Sequence, residues 1–300
     1  MNQEDTAQYV LARHGRSFHW AGRFMARDKL RRAAELYKLC RHIDDAVDEA
    51  ATARQAHDRL VANMRQARAG LANLLAETPD TPVTDAQCYA ALEELGKGVA
   101  SDIAAQDIAN EDELLIYAYR VAGTVGILMC RILNVNKTCA LPFAIDLGVA
   151  MQCTNMARDI GEDAQMGHCY IPRNWRDTNG EVPASAILRL LDMAEDYYIS
   201  AEYGMAYLPV GARLAILCAA RVYRHIGCKI AKNPGAVFTR RIYVPRTEKV
   251  LVTARAMGSF IAHKKFRQAP RAYDDALHES LAGLPGVEAA FNRHSMEDGQ

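Results

Sequence analysis

The pattern of apolar and polar positions favours helices throughout the chain. We find no convincing run of alternating, β-branched residues of the kind that predicts a strand. Proline is absent from the first 78 residues and again between Pro82 and Pro142, and these runs are rich in helix-favouring residues. The pattern predicts an all-α protein with main helices at about 27–50, 53–77, 86–105, 111–133, 139–163, 184–204, 210–232 and 246–266.

Nothing in the pattern divides the chain into separate domains. The breaks between the predicted helices carry turn residues, and none of them is a linker long enough to separate two domains. The sequence has no repeat of fixed period and no low-complexity tract. We therefore expect one helical domain over residues 1–300, with its core at about 10–266 and a mobile C-terminal tail.

Composition narrows the class of protein without identifying it. Half of the residues are hydrophobic and 24% are charged, which excludes a disordered chain. Lys plus Arg and Asp plus Glu each number 36, so the formal net charge is zero. This balance argues against a nucleic-acid-binding protein, although it is compatible with a local basic patch.

Neither a membrane span nor a secretory signal is predicted. The most apolar stretches are too short or carry a charge, since a span needs about 20 apolar residues. The N-terminal sequence MNQEDTAQYV does not have the basic region and apolar region of a signal peptide. The eight cysteines show no CxxC spacing, so we expect buried free thiols rather than disulfides or a zinc site. These features predict a cytoplasmic protein.

Two of the predicted helices each carry a stripe of polar residues. The spacings are +4, +3, +4 in the first stripe and +3, +4, +4 in the second, which place each stripe on one narrow face of its helix. The first stripe consists of Tyr37, Arg41, Asp44 and Asp48. The second consists of Gln152, Asn155, Asp159 and Asp163. Both helices are otherwise substantially apolar.

The stripes have a structural and a functional interpretation. A solvated helix face is the usual explanation of a single DxxxD motif. It is disfavoured here because like charges at i,i+4 destabilise a helix by roughly 0.2–0.5 kcal/mol. The stripes also continue into uncharged Tyr37, Gln152 and Asn155 instead of alternating with lysines. Carboxylates one turn apart offer the hard oxygen ligands that Mg²⁺ prefers, so we favour a metal site.

Two such stripes on facing helices are suited to bind a diphosphate group and to stabilise it as it leaves its substrate. Two facing helices would hold the diphosphate between them through Mg²⁺, and Arg41 and Arg158 would contact its oxygens. The organic fragment left behind is a carbocation, which an apolar helical interior shields from water.

At these residues the sequence resembles the squalene/phytoene synthase family, and its motifs are most similar to those of the bacterial phytoene synthases. Five blocks carry the resemblance, in family order over about residues 10–260. They are RHGRSFHWAGR (13–23), YKLCRHIDDAVD (37–48), YRVAGTVG (119–126), QCTNMARDIGEDAQMGHCYIP (152–172) and FTRRIYVPRTEK (238–249). Together they are far more specific than two aspartate motifs alone.

The resemblance implies a single-domain bundle of the class I isoprenoid synthase type with a central active-site cavity. It implies head-to-head joining of two prenyl diphosphates, with Mg²⁺ or Mn²⁺ as cofactor. The expected reaction converts two geranylgeranyl diphosphates to phytoene through a cyclopropyl diphosphate, without NADPH. Beyond the substrates, the expected partners are a membrane surface, in peripheral contact at its inner face, and downstream enzymes of carotenoid biosynthesis. No nucleic acid is expected.

The resemblance also implies roles for individual residues. The metal ligands would be Asp44, Asp48, Asn155, Asp159 and Asp163, and the four aspartates with Tyr119 would be the catalytic group. The substrate-binding residues would be His14, Arg16, Ser17, Tyr37, Arg41, Gln152, Arg158, Arg241 and Lys249. Without the resemblance, core packing would explain Tyr119, and a solvated pair would explain Arg240 and Arg241.

Three positions depart from the family pattern. His168 stands where an arginine is usual, residues 234–236 lack a tyrosine that many members carry, and Gly15 replaces a serine of some relatives. These departures bear on rate or substrate more than on reaction class. Two alternatives therefore stay open: a dehydrosqualene- or squalene-type synthase that uses farnesyl diphosphate, and a non-catalytic scaffold protein of the same fold. A scaffold would not need to keep both aspartate pairs.

Overall fold

The helices begin and end close to where the sequence predicts them. The computed structural model describes residues 6–48, 50–104, 107–266, 268 and 273–287, without the side chain of residue 48. Its α-helices are α1 Ala7–His14, α2 Arg16–Ala21, α3 Arg27–Asp48, α4 Ala53–Ala76, α5 Asp85–Ile103, α6 Glu111–Ala118, α7 Thr124–Ile132, α8 Leu141–Gln165, α9 Ala184–Gly204, α10 Val210–Lys232 and α11 Arg246–Ala262. A π-helical segment, Tyr119–Gly123, joins α6 to α7. All predicted helices are present, and the described residues contain no strand.

Two short N-terminal helices, α1 and α2, were not predicted. They have eight and six residues, too few for an apolar period to stand out. The Thr6 side chain begins α1 by accepting a hydrogen bond from the Tyr9 amide. Gly15 separates the two helices, and a Cβ there would lie only 3.2 Å from Cζ of Tyr37. The glycine therefore lets this break approach α3 closely.

Polar side chains fix the starts of three longer helices. Thr52 accepts a hydrogen bond from an amide in the first turn of α4, and Asn110 does the same in α6. At α5, Thr84 and Gln87 form a reciprocal capping box. These caps lie in the turn-rich breaks of the sequence, and for that reason the helix boundaries could be placed to within a few residues.

Helix α8 lies at the centre of the fold. It packs against α7, α9 and α10 and is buried along most of its length. Two glycines bring α8 against α7 and against the π-helical segment that precedes α7. A Cβ at Gly126 would lie 2.2 Å from the Ala144 carbonyl oxygen, and one at Gly148 would lie 2.3 Å from that of Ala122 in the π-helical segment. No larger residue permits this approach. The contact sets the spacing of two helices that enclose the cavity described below.

The C-terminal segment 273–287 packs on this core and extends it beyond the predicted limit near residue 266. Leu281 and Val287 have no exposed surface. The segment forms a 3₁₀-helix over Asp275–Leu281, which the α-helical period could not reveal. The predicted C-terminal tail, residues 288–300, lies outside the described residues.

A buried carboxylate holds this segment in place. Asp146 of α8 has no exposed surface. It accepts a hydrogen bond from the Tyr273 hydroxyl at 2.9 Å, and its Oδ1 lies 2.8 Å from Nε2 of His278. Ser200 of α9 donates to the other carboxylate oxygen at 2.5 Å. The segment is therefore attached to α8 and α9 by polar as well as apolar contacts.

One helix among the described residues is long and apolar enough to cross a membrane. It runs over Glu111–Ile132, 22 residues with a mean hydropathy of 1.4 in the best window. Of that window, 56% is buried inside the protein. The core helix of a folded domain has the same length and composition, and Leu114 and Ile127 of this helix have no exposed surface. Core packing accounts for its apolar character.

Candidate active site

A cavity of about 970 Å³ lies among the helices, and both polar stripes contribute to its wall. Its polar lining comprises His14, Tyr37, Arg41, Asp44, Asp102, Tyr117, Gln152, Asn155, Arg158, Asp159, Glu162, Asp163, His168, Tyr170, Tyr223 and Arg241. Its apolar lining includes Phe18, Val125, Met129, Phe143, Leu147, Met151, Leu208 and Ile216. The cavity therefore combines a charged region with a large apolar one.

The first stripe lies on α3. Tyr37, Arg41 and Asp44 are half-buried and line the cavity. Arg41 also forms an ion pair with Asp45 at 2.7 Å. Burial raises the pKa of Tyr37 well above its ordinary value, so its hydroxyl stays protonated and can donate a hydrogen bond. Asp48 is the last residue of α3, and its side chain lies outside the described residues.

The second stripe lies on α8, and all four of its residues line the cavity. Nδ2 of Asn155 donates to Oε1 of Gln152 at 3.3 Å. The amide oxygen of Asn155 is buried and accepts no hydrogen bond from any described residue. Because an unsatisfied buried oxygen costs free energy, this atom is well suited to coordinate a cation.

Asp159 forms ion pairs with two arginines of the site. Nε of Arg158 donates to its Oδ1 at 2.8 Å, and the second guanidinium nitrogen of Arg158 contacts Oδ2. Nε of Arg241 lies 3.2 Å from Oδ1, and Arg241 also pairs with Glu162 at 3.0 Å. Burial opposes the charge of Arg158, but the hydrogen bond and charge of Asp159 outweigh it and raise the pKa of Arg158. The guanidinium groups of both arginines thus lie beside the acidic stripe, where they can donate hydrogen bonds to an anion.

Asp163 carries a carboxyl that is costly to ionise. Burial raises the pKa of Asp163 to about 7, the negative charges of Asp159 and Glu162 add to the rise, and Arg158 partly offsets it. A cation bound at this carboxylate would remove the penalty. The electrostatics of the stripe therefore favour binding of a positive ion.

Asp102 is a site residue that sequence reasoning missed. It lines the cavity from the last turn of α5. It accepts hydrogen bonds from the hydroxyls of Tyr117 at 3.2 Å and Tyr170 at 3.0 Å, and the two rings stack with centroids 4.8 Å apart. An acid in the last turn of a helix is disfavoured by the helix dipole. That unfavourable placement was the one signal in the sequence that pointed to Asp102.

Comparison with known proteins identifies the family. The family model of squalene/phytoene synthases matches residues 11–248. The chain belongs to the squalene/phytoene synthase family. The 15-cis-phytoene synthase of a Paracoccus species is 36% identical over 273 residues, covering 82% of this chain and 88% of the relative. The phytoene synthase of Pseudescherichia vulneris is 34% identical over 296 residues, covering 89% and 95%. The family resemblance inferred from the five blocks is confirmed.

Solved structures show the same fold. A dehydrosqualene synthase in complex with a ligand matches with a TM-score of 0.71 over 86% of this chain and 96% of that chain, at 21% identity. A squalene synthase from Alicyclobacillus acidocaldarius matches with a TM-score of 0.61 over 76% and 92%, at 20% identity. At such identities the likeness concerns the fold alone. It confirms the predicted all-α class I isoprenoid synthase architecture.

Some residues implied by the squalene/phytoene synthase resemblance lie outside the cavity lining. They are Arg16, Ser17, Tyr119 and Lys249. Burial lowers the pKa of Lys249, and the positive charges of Arg16 and Arg246 lower it further. Arg16 and Lys249 are therefore neighbours in a basic cluster, although neither lines the cavity itself.

Tyr119 is a packing residue in this structure. It has no exposed surface, and its hydroxyl donates to the Pro285 carbonyl at 2.5 Å. Val121, Ala122 and Val125 of the same continuous helix line the cavity instead. Tyr119 lies on the face that is turned to the C-terminal segment, so the structure does not bring it to the predicted position beside the reacting carbons.

Two of the positions that depart from the family pattern make defined contacts in this structure. His168, in place of the usual arginine, lines the cavity, and its ring stacks on that of Tyr170 with centroids 6.1 Å apart and an interplanar angle of 8°. The segment Pro234–Phe238, which lacks the tyrosine, packs directly on α8: a Cβ at Gly161 would lie 2.6 Å from the Val237 carbonyl oxygen. Arg241, three residues beyond this segment, pairs with Asp159 and Glu162 of α8.

The donor set of this squalene/phytoene synthase cavity fits hard divalent cations. Among the described residues, no three carboxylate, imidazole or thiol groups converge closely enough to hold a metal by themselves. Mg²⁺ does not need such a cage, because it usually takes one or two carboxylates together with phosphate oxygens and water. The buried Asn155 oxygen and the carboxylates of Asp159 and Asp163 lie on one face of α8. They supply oxygen ligands of the required kind.

Proposed function

We propose that this chain condenses two geranylgeranyl diphosphates head to head to give phytoene and two diphosphates. Its family membership and its phytoene synthase relatives support the coarser activity, a prenyltransferase of carotenoid biosynthesis that joins prenyl diphosphates. The observation that carries the proposal is the cavity. It brings the two polar stripes of α3 and α8 together with a large apolar wall.

The charged region of the cavity would bind and release the diphosphates. Arg158 and Arg241 lie at Asp159, where their guanidinium groups would donate hydrogen bonds to phosphate oxygens. Mg²⁺ or Mn²⁺, when bound, would add positive charge that stabilises the departing diphosphate. The residues that we assign to the metal are Asp44, Asp48, Asn155, Asp159 and Asp163.

The apolar region would protect the carbon skeleton. Each C–O bond that breaks leaves its electrons on diphosphate and a cation on the prenyl chain. The hydrocarbon side chains of Val125, Leu147 and Ile216 present no nucleophile and exclude water from that cation. Two protons leave as the cyclopropyl diphosphate forms and then rearranges to the C40 hydrocarbon. No hydride enters in this sequence, so the proposal expects no requirement for NADPH.

A product assay tests the proposal. Purified protein is incubated with Mg²⁺ and radiolabelled geranylgeranyl or farnesyl diphosphate, with and without NADPH, and the hydrocarbons are separated by chromatography. A C40 hydrocarbon formed without NADPH is the expected result. A C30 product formed in preference would replace the substrate assignment with farnesyl diphosphate, and no consumption of either diphosphate would favour the scaffold function.

A further inference from the structure

The outer face of α11 is apolar although it is exposed. We call the residues that form it the α11 face: Val250, Leu251, Met257 and Ile261, which are 55%, 50%, 40% and 70% exposed. Exposed Ala254 lies between them. Isolated exposed apolar residues are ordinary, but a contiguous exposed stripe marks an interaction surface.

The orientation of α11 is fixed from its inner side. Val252, Thr253 and Ala256 are buried against the rest of the protein. The indole nitrogen of Trp20, on α2, donates to the Thr253 hydroxyl at 3.0 Å. Since Val250 and Met257 lie seven residues apart, two helical turns, they must project on the same side. The helix therefore cannot rotate to bury the α11 face without breaking this contact.

Positive charge surrounds the α11 face. Residues 239–266 contain seven Lys and Arg and one acidic residue, Glu248, in a chain whose formal net charge is zero. Glu248 is engaged by Lys229 at 2.8 Å and by His225 at 3.1 Å. Arg246, Arg255 and Lys264 are exposed around the stripe. An apolar stripe bordered by cations is complementary to a surface of anionic headgroups over acyl chains.

The α11 face is connected to the cavity through the chain. Arg241 lines the cavity, and only four residues separate it from the start of α11. One of these, Tyr243, is 71% exposed. On the inner side, Trp20 contacts α11, while Phe18 of the same short helix lines the cavity. A surface bound at the α11 face would therefore lie beside a wall of the cavity.

We propose that the α11 face docks this protein on the surface of an anionic lipid bilayer. The choice of a bilayer over a protein partner rests on the charge complementarity and on the proposed function, whose substrates and product are lipidic. The apolar stripe inserts among the acyl chains, and Arg246, Arg255 and Lys264 lie at the headgroup level.

Vesicle sedimentation without substrate tests the docking separately from the activity. The full chain is mixed with phosphatidylcholine vesicles, with or without phosphatidylglycerol, and the bound fraction is measured. Binding to the anionic vesicles is expected, with a marked loss in high salt because the charge contribution is screened. Absence of binding to anionic vesicles at low salt would overturn the proposal, whatever product the enzyme makes.

Variants assign the binding to the α11 face. The triple change Val250→Ser, Leu251→Ser and Met257→Ser is expected to lower vesicle affinity by about tenfold or more. The matched control, Val61→Ser with Leu188→Ser, removes apolar side chains of similar exposure on α4 and α9 and should leave binding unchanged. Turnover of detergent-dispersed substrate should be the same in all three proteins.

Charge variants and solution mass complete the test. Arg255→Gln with Lys264→Gln should weaken binding to anionic vesicles and reduce its salt dependence. Light scattering without vesicles detects the alternative occupant, a second copy of the chain. Concentration-dependent dimers that the triple variant abolishes, together with unchanged vesicle binding in that variant, would overturn the proposal and assign the α11 face to self-association.

Discussion

At the scale of single residues, Asp159 shows how the charges of the site depend on one another. Arg158 and Arg241 both contact its carboxylate, and the acidic neighbours Glu162 and Asp163 lie on the same helix. Removing one charge therefore changes the environment of all the others. The effect on function should exceed the effect on stability, because Asp159 lies on the cavity wall and is only partly buried.

Asp159→Asn should lower turnover by about 100-fold or more, because the amide offers weaker electrostatic support to a bound cation and to both arginines. The helical circular dichroism spectrum should be unchanged. Glu162→Gln is the matched control: this exposed neighbour also pairs with Arg241, and its loss should have a much smaller effect on kcat. Near-wild-type kcat for Asp159→Asn would remove Asp159 from the site.

The raised pKa of Asp163 predicts a pH dependence of stability. The pKa is about 7 in the folded protein, against an ordinary value of 3.8. Folding therefore favours the protonated form, and the protein without metal should lose stability as pH rises from about 4 to 7. Asp163→Asn removes this ionisation, so its stability relative to wild type should increase between about pH 4 and pH 7 and stay constant above that range. Thermal unfolding in the presence of a chelator measures the difference, and a constant difference across this range would contradict the assignment.

The sequence predicted site residues where a helical repeat made them visible. The spacing of Asp44, Asp159 and Asp163 follows the helical turn, and the structure brings all three to the cavity wall. Asp102 was missed because it is a single acid whose partners, Tyr117 and Tyr170, lie far away in the chain. Tyr119 was placed at the site because its block resembles the family, but the direction of a side chain around a π-helical segment does not follow from α-helical spacing.

At the scale of elements, the α7–α8 contact determines the geometry of the cavity. Gly126 lets α7 contact α8, Gly148 lets α8 contact the π-helical segment before α7, and both residues line the cavity. Because glycine costs roughly 1 kcal/mol relative to alanine within a helix, the presence of Gly126 in the predicted helix 111–133 is itself a sign of close packing. The sequence could not identify the partner helix, because that information resides in contacts between distant segments.

Gly148→Ala should destabilise the protein by about 1–3 kcal/mol, because the new Cβ would lie 2.3 Å from the Ala122 carbonyl oxygen and force the helices apart. Gly258→Ala is the control: it lies within α11 with no atom inside 4 Å of an added Cβ. That change should be neutral or stabilising by about 0.5–1 kcal/mol. Urea unfolding measures both free energies, and equal stabilities would show that α7 and α8 separate without cost.

At the scale of the whole molecule, the C-terminal segment 273–287 packs back on the central helices and closes the fold. Asp146, Tyr273 and His278 meet at a fully or almost fully buried point, and Tyr119 is joined to Pro285 at another. The predicted core ended near residue 266 because short 3₁₀ segments lack the period that defines a helix in the sequence. The general architecture was predictable, whereas this closure depends on contacts between residues far apart in the chain, such as those of Asp146 with Tyr273 and His278.

Asp146→Ala should cost about 3–5 kcal/mol of unfolding free energy, since it leaves His278, Tyr273 and Ser200 buried without their common partner. Asp112→Ala is the matched control: it removes a surface contact between α6 and Ser280 of the same segment and should cost less than about 1 kcal/mol. Urea unfolding gives the two values. Limited proteolysis should show faster cleavage near the segment in Asp146→Ala alone, and similar losses in the two variants would contradict the role of Asp146.

The Asp146–His278 contact spans 132 residues of the chain, and this separation has a consequence for biosynthesis. During translation α8 leaves the ribosome long before the segment that satisfies its buried carboxylate. Until residue 278 emerges, burial of that carboxylate lacks the Tyr273 and His278 hydrogen bonds and costs free energy, which disfavours the final packing of α8. The nascent chain therefore presents apolar helix surface for most of its synthesis, a period in which it is a natural client for chaperones.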